Sequence, residues 1–417
     1  MHKHTKYAAM IAAPRSNSGK TLVTLGLIRA LQNAGHTVQP FKCGPDYIDP
    51  MHHEVISGRC SYNLDSWMDN TERVIKQFYV PMQNADFGIV EGVMGLFDGA
   101  QKDVGSSAEI ARLLSLPVIL VVDASSVAYS VAPLLHGFKT FDKRVKLGGV
   151  IFNKTGSLSH VNFLAEAATD AQVKMLGFIP RDNRLAMESR YLGLHLPGEH
   201  KNTDVVEVAA HLIEQHVDLQ GLTEAIVNPV HFTASKEMKP SKEASLNIAV
   251  AYDEAFNFMY PANIDAISSF GKVTFFSPLK DQEIPEADFV WLSGGYPELF
   301  ARKLSANQRM INSLRRFIDA GKPVVAECGG MMYLGKELID EQGQAHSMAG
   351  IFDFSTTFAQ KNLHLGYRAV QVGDFTLKGH EFHYSTLLMN AHKPYISMAK
   401  TARGKDVPMP VFRYKNC

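Results

Sequence analysis

The chain has 417 residues, 46% hydrophobic and 20% charged, an ordinary globular composition spread over a length that calls for two or three domains. Lys+Arg and Asp+Glu both number 42, so the formal net charge is zero, and no global field favours nucleic acid or an anionic membrane as partner. The cysteines, Cys43, Cys60, Cys328 and Cys417, are scattered without metal-ligand spacing, as suits a reducing cytoplasm, and no apolar stretch is long enough to span a bilayer.

The basic start and its short apolar run stop at Pro14-Arg15 and lead into Gly19-Lys20-Thr21. The run therefore reads as a first core strand, over 7–13, and not as a signal peptide. A helix is predicted over 19–33, closed by Gly35. Further strands are expected at 38–42, 87–91, 118–123, 149–153 and 175–179. Near-continuous runs such as Val118-Ile-Leu-Val-Val122 imply a parallel sheet covered on both faces. At 234–246 the chain turns polar, with lysines, glutamates and serines, and this is the expected linker between a domain at 1–233 and another at 247–417. A second α/β rhythm comes next, with strands at 247–251, 273–276, 289–292 and 323–326 and a helix over about 307–320.

The segment Ala13-Pro-Arg-Ser-Asn-Ser-Gly-Lys-Thr21 lies between a strand and a long helix. Backbone N–H groups at a helix N-terminus surround phosphate oxygens, a lysine adds charge, and a Ser/Thr hydroxyl can ligate Mg²⁺. Ser16, Ser18, Gly19, Lys20 and Thr21 are accordingly the candidate nucleotide-binding residues. Pro14 replaces the usual opening glycine of a P-loop, and an ordinary helix start beside a lysine is the alternative. Two acidic, glycine-containing segments stand at later strand ends, Lys42-Cys-Gly-Pro-Asp-Tyr-Ile-Asp49 and Glu91-Gly-Val-Met-Gly-Leu-Phe-Asp98. Both are expected at the carboxyl edge of the sheet, beside the phosphate loop. There Asp46 and Glu91, with Thr21, are candidates for a Mg²⁺ shell. Lys42, Tyr47, Asp49 and Asp98 are the candidate substrate-binding residues, with turn or helix capping as the plain alternative for the acids. Asn153, at another strand end, is a candidate to read an adenine edge or else a turn residue.

In the second half, Val324-Val-Ala-Glu-Cys-Gly-Gly330 puts Cys328 after a buried strand and before a helix. Small residues permit a tight turn that exposes the sulfur as a nucleophile. The N–H groups of Gly329 and Gly295 are candidates for an oxyanion site. The later segment Gly379-His-Glu-Phe-His-Tyr-Ser385 offers a base, His383, with His380 as the fallback.

In order along nearly the whole chain, Ser16–Thr21, the 42–50 segment KCGPDYIDP, Asn63-Leu-Asp65, the 91–99 segment EGVMGLFDG, the 292–298 segment LSGGYPE, Ala326–Gly330 and the 381–385 segment EFHYS resemble the cobyrinate a,c-diamide synthases. The resemblance implies an α/β protein with a P-loop, parallel-sheet ATP domain similar to dethiobiotin synthetase. A flavodoxin-like class I glutamine amidotransferase domain completes it. The implied reaction is ATP- and glutamine-dependent amidation of the a and c acetates of a corrin precursor in cobalamin biosynthesis. The implied cofactors are ATP and Mg²⁺, and the implied substrates are a tetrapyrrole and L-glutamine. Cys328 is then the glutaminase nucleophile and His383 its base, while Asp46 and Glu91 lie near metal and reacting carboxylate. Most class I amidotransferases carry a glutamate two residues after the histidine. Ser385 stands there, so a serine hydroxyl, a backbone carbonyl or water is left to orient His383. The same chemistry on hydrogenobyrinate or nickel-sirohydrochlorin stays open, as does a P-loop regulatory ATPase fused to an inactive amidotransferase-like module. Cytoplasmic location is expected, with neither nucleic acid nor membrane as partner and a homodimer as an open possibility.

Overall fold

A computed structural model describes residues 6–186, 189–190, 193–194, 202–225, 245–359, 363–389 and 395–417. The chain divides into two compact units, Met1–Lys236 and Glu237–Cys417. The polar 234–246 stretch lies outside the described residues except for its last two positions.

The first unit runs β1 (Tyr7–Ala12), α1 (Lys20–Asn33), β2 (Val38–Cys43), α2 (Ile48–Ser57), β3 (Tyr62–Leu64), α3 (Thr71–Met82), β4 (Phe87–Glu91), α4 (Ser107–Leu113), β5 (Val118–Asp123), α5 (Val131–Thr140), β6 (Leu147–Thr155), α6 (Leu158–Asp170) and β7 (Met175–Pro180). A small ribbon, β8 (Ser189–Arg190) with β9 (Gly193–Leu194), and helices α7 (Asn202–His216) and α8 (Leu219–Ala225) complete it. Seven strands form one sheet in the order β3-β2-β4-β1-β5-β6-β7, every neighbouring pair parallel. Alternation along β1 explains its continuous apolar sequence. Ala8, Met10 and Ala12 face one core with Phe41, Phe78 and Phe152, whereas Ala9 and Ile11 face another with Ile28, Ile151 and Ile213. The loops after β1, β2 and β4 leave the same carboxyl edge. Gly92 N–H to Ile11 O and Leu96 N–H to Ala13 O, both 2.8 Å, lace two of them together.

The second unit begins with β10 (Leu246–Ala251), α9 (Pro261–Ser268), β11 (Gly271–Phe276), β12 (Phe289–Leu292), α10 (Ala301–Ala306), α11 (Gln308–Asp319), β13 (Val324–Ala326) and α12 (Gly329–Leu334). Its parallel sheet has the order β11-β10-β12-β13, the first four places of a flavodoxin-like sheet. The strands beyond α12 were not anticipated from sequence: β14 (Glu337–Ile339), β15 (Ala345–Ser347), β16 (Phe354–Thr357), β17 (His364–Val372), β18 (Phe375–His383), β19 (Thr386–Met389), β20 (Tyr395–Thr401) and β21 (Asp406–Phe412). They build two further sheets, β15-β14-β16-β19 and β18-β17-β20-β21, largely antiparallel. Half-exposed strands carry no long apolar run: Leu365, Phe375 and Leu377 are exposed.

Helix α7 covers α1 at close range. A Cβ added at Gly26 would sit 2.7 Å from Ile213 Cδ1 and 3.1 Å from Ala209 Cβ. Gly26→Leu should therefore overpack the α1–α7 contact and lower unfolding free energy by about 1–3 kcal/mol, read as an earlier urea midpoint with unchanged slope.

Candidate active site

The loop between β1 and α1 turns on two left-handed residues, Asn17 (φ 63°) and Gly19 (φ 85°). Gly19 is required twice over: an added Cβ there would lie 2.1 Å from Asn153 Nδ2. Ser18 is buried and spends its hydroxyl inside the loop on Arg15 O, at 2.9 Å, while Ser16 is exposed. Lys20 is buried, and its ammonium donates to Met94 O at 2.6 Å. Burial first, and the Lys42 charge second, lower Lys20 to about 8. Asn153 Nδ2 donates to Ser18 O at 3.0 Å and so braces the phosphate loop, while its Oδ1 accepts from the neighbouring Lys154 N–H at 2.9 Å.

The acidic segments meet around Lys42. Its ammonium lies 2.5 Å from Asp49 Oδ2, 3.1 Å from Glu91 Oε1 and 3.5 Å from Asp46 Oδ2. Burial pulls Lys42 down, but Asp49 and Glu91 outweigh it and hold the ammonium well above its ordinary range. Burial likewise works to raise Glu91, and the Lys42 charge with the His53 and Thr21 hydrogen bonds outweighs it, so the carboxyl sits below the usual range. For Asp46, burial reinforced by the Asp49 charge prevails and the carboxyl is raised. Asp46 also performs the plain capping task, its Oδ1 accepting from Ile48 N–H (2.9 Å) and Asp49 N–H (3.1 Å). Tyr47 is half-buried at the cap of α2. Asp98 is exposed and accepts from Gly95 N–H at 2.9 Å, which shapes its own loop.

Among the described residues no three His, Cys, Asp or Glu side chains form a metal cage. Magnesium does not need one, because it keeps several waters and takes one or two carboxylates with substrate phosphate. The donors fit that pattern. The Thr21 hydroxyl lies 2.6 Å from Glu91 Oε1 and 3.3 Å from Asp49 Oδ2, its one proton shared between them, so these three oxygens converge. Sequence reasoning missed His53. Its signal was spacing: Asp49 and His53 are four apart on α2 and share one face.

In the second unit, Cys328 stands between β13 and α12 at φ 50°, ψ −114°, a backbone conformation that costs about 1–3 kcal/mol for a residue with a side chain. Close packing enforces the turn, since a Cβ at Gly330 would lie 2.2 Å from Leu292 O. The N–H groups of Gly295 and Gly329 both donate toward the sulfur, yet burial dominates and pushes the thiol up to about 11.

His383 ends β18. Its Nδ1 lies 3.1 Å from both Ser385 O and Ser385 Oγ; in the neutral ring with Nε2–H on Glu381, Nδ1 accepts from the serine hydroxyl, and the carbonyl can accept from it only when the ring is protonated. Its Nε2 lies 3.0 Å from Glu381 Oε1, and Glu381 is itself bound by Arg368 Nε at 2.6 Å. The ring stacks on His364, 4.8 Å away. Among the described residues no hydrogen bond joins His383 to the Cys328 sulfur. His380 projects from the opposite face of β18. Its Nδ1 meets the Tyr260 hydroxyl at 3.1 Å, and burial lowers the ring to about 4. Glu381 was legible in principle: Glu381-Phe382-His383 alternates, which puts the acid and the base on one face of a strand.

A thiol held near 11 is protonated at rest. Alkylation of Cys328 by iodoacetamide, followed by peptide mass spectrometry, should still rise about tenfold between pH 9 and pH 10, where an ordinary thiol near 8.5 has levelled off.

Two family models match the chain in this order. Residues 9–192 match a CobQ/CobB/MinD/ParA nucleotide binding domain, and residues 247–410 match a CobB/CobQ-like glutamine amidotransferase domain. The chain is 41% identical over 407 residues to a Brucella anthropi protein named hydrogenobyrinate a,c-diamide synthase, covering 95% of this chain and 93% of that one. It is 40% identical over 410 residues to a Picrophilus torridus protein named cobyrinate a,c-diamide synthase, covering 95% and 91%. A Listeria innocua protein of the latter name is 40% identical over 393 residues, covering 90% and 86%. With similarity of this depth running through both units, the chain belongs to the cobyrinate and hydrogenobyrinate a,c-diamide synthase family.

Proposed function

We propose that this chain is an ATP- and glutamine-dependent carbon–nitrogen ligase that converts the a and c acetate carboxylates of cobyrinate into amides during cobalamin synthesis. The observation that carries the reading is the pairing, in one chain, of a phosphate loop set among Lys42, Asp49 and Glu91 with a strained cysteine in the turn after β13, a strand that is only partly buried. Hydrogenobyrinate is the second acceptor, because relatives of equal similarity carry that name. A reducing cytoplasm suits cysteines that form no disulfide among the described residues.

A carboxylate repels nucleophiles and has a poor leaving group, so it must first be activated. Transfer of the γ-phosphoryl group of ATP to the carboxylate gives an acyl phosphate, and catalysis of that step is chiefly positioning and charge neutralisation. Lys20 leaves Met94 O for phosphate oxygen, Lys42 draws the carboxylate in, and Asn153 keeps the loop in shape through Ser18. Thr21, Glu91 and Asp49 would hold Mg²⁺, with Asp46 bracing Lys42, and the ion supplies neutralisation of phosphate charge when bound. In the other unit the Cys328 sulfur attacks the carboxamide of glutamine. Gly295 and Gly329 N–H groups stabilise the oxyanion, each donor worth about 2.7–4 kcal/mol. His383, with Nε2 kept on Glu381, takes the thiol proton at Nδ1 after that nitrogen leaves Ser385 and passes it to departing ammonia, and water then hydrolyses the thioester to glutamate. Glu381 and Ser385 set the orientation of the His383 ring.

Mass spectrometry of cobyrinate and hydrogenobyrinate after incubation with ATP, Mg²⁺ and glutamine tests the reading: two replacements of OH by NH₂ are expected, and an unaltered mass for both refutes it. Cys328→Ala should abolish glutamine-dependent amidation but keep the rate with concentrated ammonium salt. Lys20→Ala should eliminate turnover with either nitrogen donor, and amidation surviving that change counts against the phosphate-loop assignment.

A further inference from the structure

We propose that His53 is a positioning residue for the reaction at the phosphate loop. It fixes the Glu91 carboxylate so that Oε1 faces Thr21 and Lys42 while Oε2 is held away from them. This rests on the reading of that loop as the place of phosphoryl transfer.

Glu91 and His53 are both 0% exposed. Glu91 divides its two oxygens cleanly. Oε1 accepts from the Thr21 hydroxyl at 2.6 Å and from Lys42 at 3.1 Å, and Oε2 lies 2.8 Å from His53 Nε2. An ionised carboxylate only accepts hydrogen bonds, so Nε2 carries the proton. The other ring nitrogen is then an acceptor, and Ser61 Oγ, 3.0 Å from Nδ1 and itself buried, donates to it. The chain Ser61–His53–Glu91 is complete within the protein and needs no charge on the imidazole. Without His53, Oε2 becomes an anionic oxygen buried without a partner. The terminal carboxylate torsion is soft, so the group then turns toward Lys42 with either oxygen. Helix α2 makes the arrangement coherent: it presents Asp49 to Lys42 and, one turn later, His53 to Glu91. A hydrogen-bond partner behind a functional carboxylate typically matters about 10–100-fold in metal affinity or activity.

The experiment compares His53→Phe and His53→Gln in the full chain. Binding of Mn²⁺, as the spectroscopic substitute for Mg²⁺, is titrated by electron paramagnetic resonance with a non-hydrolysable ATP analogue present. Ammonium-dependent amidation and glutamine hydrolysis are assayed on the same preparations. In His53→Phe we expect Mn²⁺ to bind about 10–100-fold more weakly and kcat for amidation to fall by a similar factor. The KM for ATP should change much less, and glutamine hydrolysis should match the parent. His53→Gln, which can still donate to Oε2, should recover most of both losses. Wild-type Mn²⁺ binding and kcat in His53→Phe overturn the proposal, and so does a glutamine variant no better than phenylalanine. If His53→Phe does not fold, His53→Asn, too short to reach Oε2, takes its place. Lys20→Ala keeps the two readings apart: amidation surviving in it removes the site itself, whereas loss in Lys20→Ala with full activity in His53→Phe removes only the part given to His53.

Discussion

The first unit depends on an ammonium buried beside a carboxylate. Strands β2 and β4 are parallel neighbours, and their register sets Lys42 directly opposite Glu91 at the last turn of the sheet before its loops begin. Taking either charge out of water alone costs several kcal/mol, and removing one partner of such a pair commonly costs about 3–5 kcal/mol. The site therefore holds together only as a set. Asp49 and Asp46 bring negative charge to Lys42 from the β2 exit, and Thr21 and His53 bring hydrogen bonds to Glu91 from α1 and α2. These side chains come from α1, β2, the β2–α2 connection, α2 and β4, so the site is assembled only when the sheet and its helices are in place.

That arrangement also explains the resting position of Lys20. The phosphate-loop lysine lies near a second buried lysine, and its lowered proton affinity reflects burial and that repulsion together. A backbone carbonyl, Met94 O, is a weak partner for a full positive charge. Triphosphate oxygens would be stronger acceptors for that ammonium. The second unit obeys the opposite logic. At Cys328, the proposed nucleophile, burial raises the thiol and the backbone stands at a positive φ.

What could be read from sequence was whatever chemistry is local. The phosphate loop, both acidic segments and the strand–Cys–Gly–Gly turn each lie within a dozen residues, and their strand-to-loop position is set by apolar runs. Long-range partners were not readable. Asn153 reaches Ser18 across 135 positions, and only the packing of β6 against the loop reveals that its amide is engaged. Asp46 and Asp49 were assigned by residue type, which does not say that one caps α2 while the other turns toward Thr21. The antiparallel sheets after residue 337 were missed because their strands are half-exposed and lack the continuous Val/Ile/Leu signal of the parallel ones.

The departure at Ser385 shows how the same physical requirement can be met from the other side. An imidazole that serves as base needs one nitrogen held and its ring plane fixed. In a strand, residues two apart share a face whichever comes first, so a carboxylate two positions before the histidine can hold the ring as well as one two positions after. Glu381 occupies that earlier place; burial works to raise it, and the His383 hydrogen bond with the charge of Arg368 on the paired strand β17 outweighs burial and lowers it. Ser385 lies against the opposite nitrogen, which must leave that contact before it can act as base. A glutamate at 385 would add a second negative charge to a ring already served by Glu381. Its absence is therefore consistent with the strand chemistry around it, and the orientation of His383 is shared between the two sides of the ring.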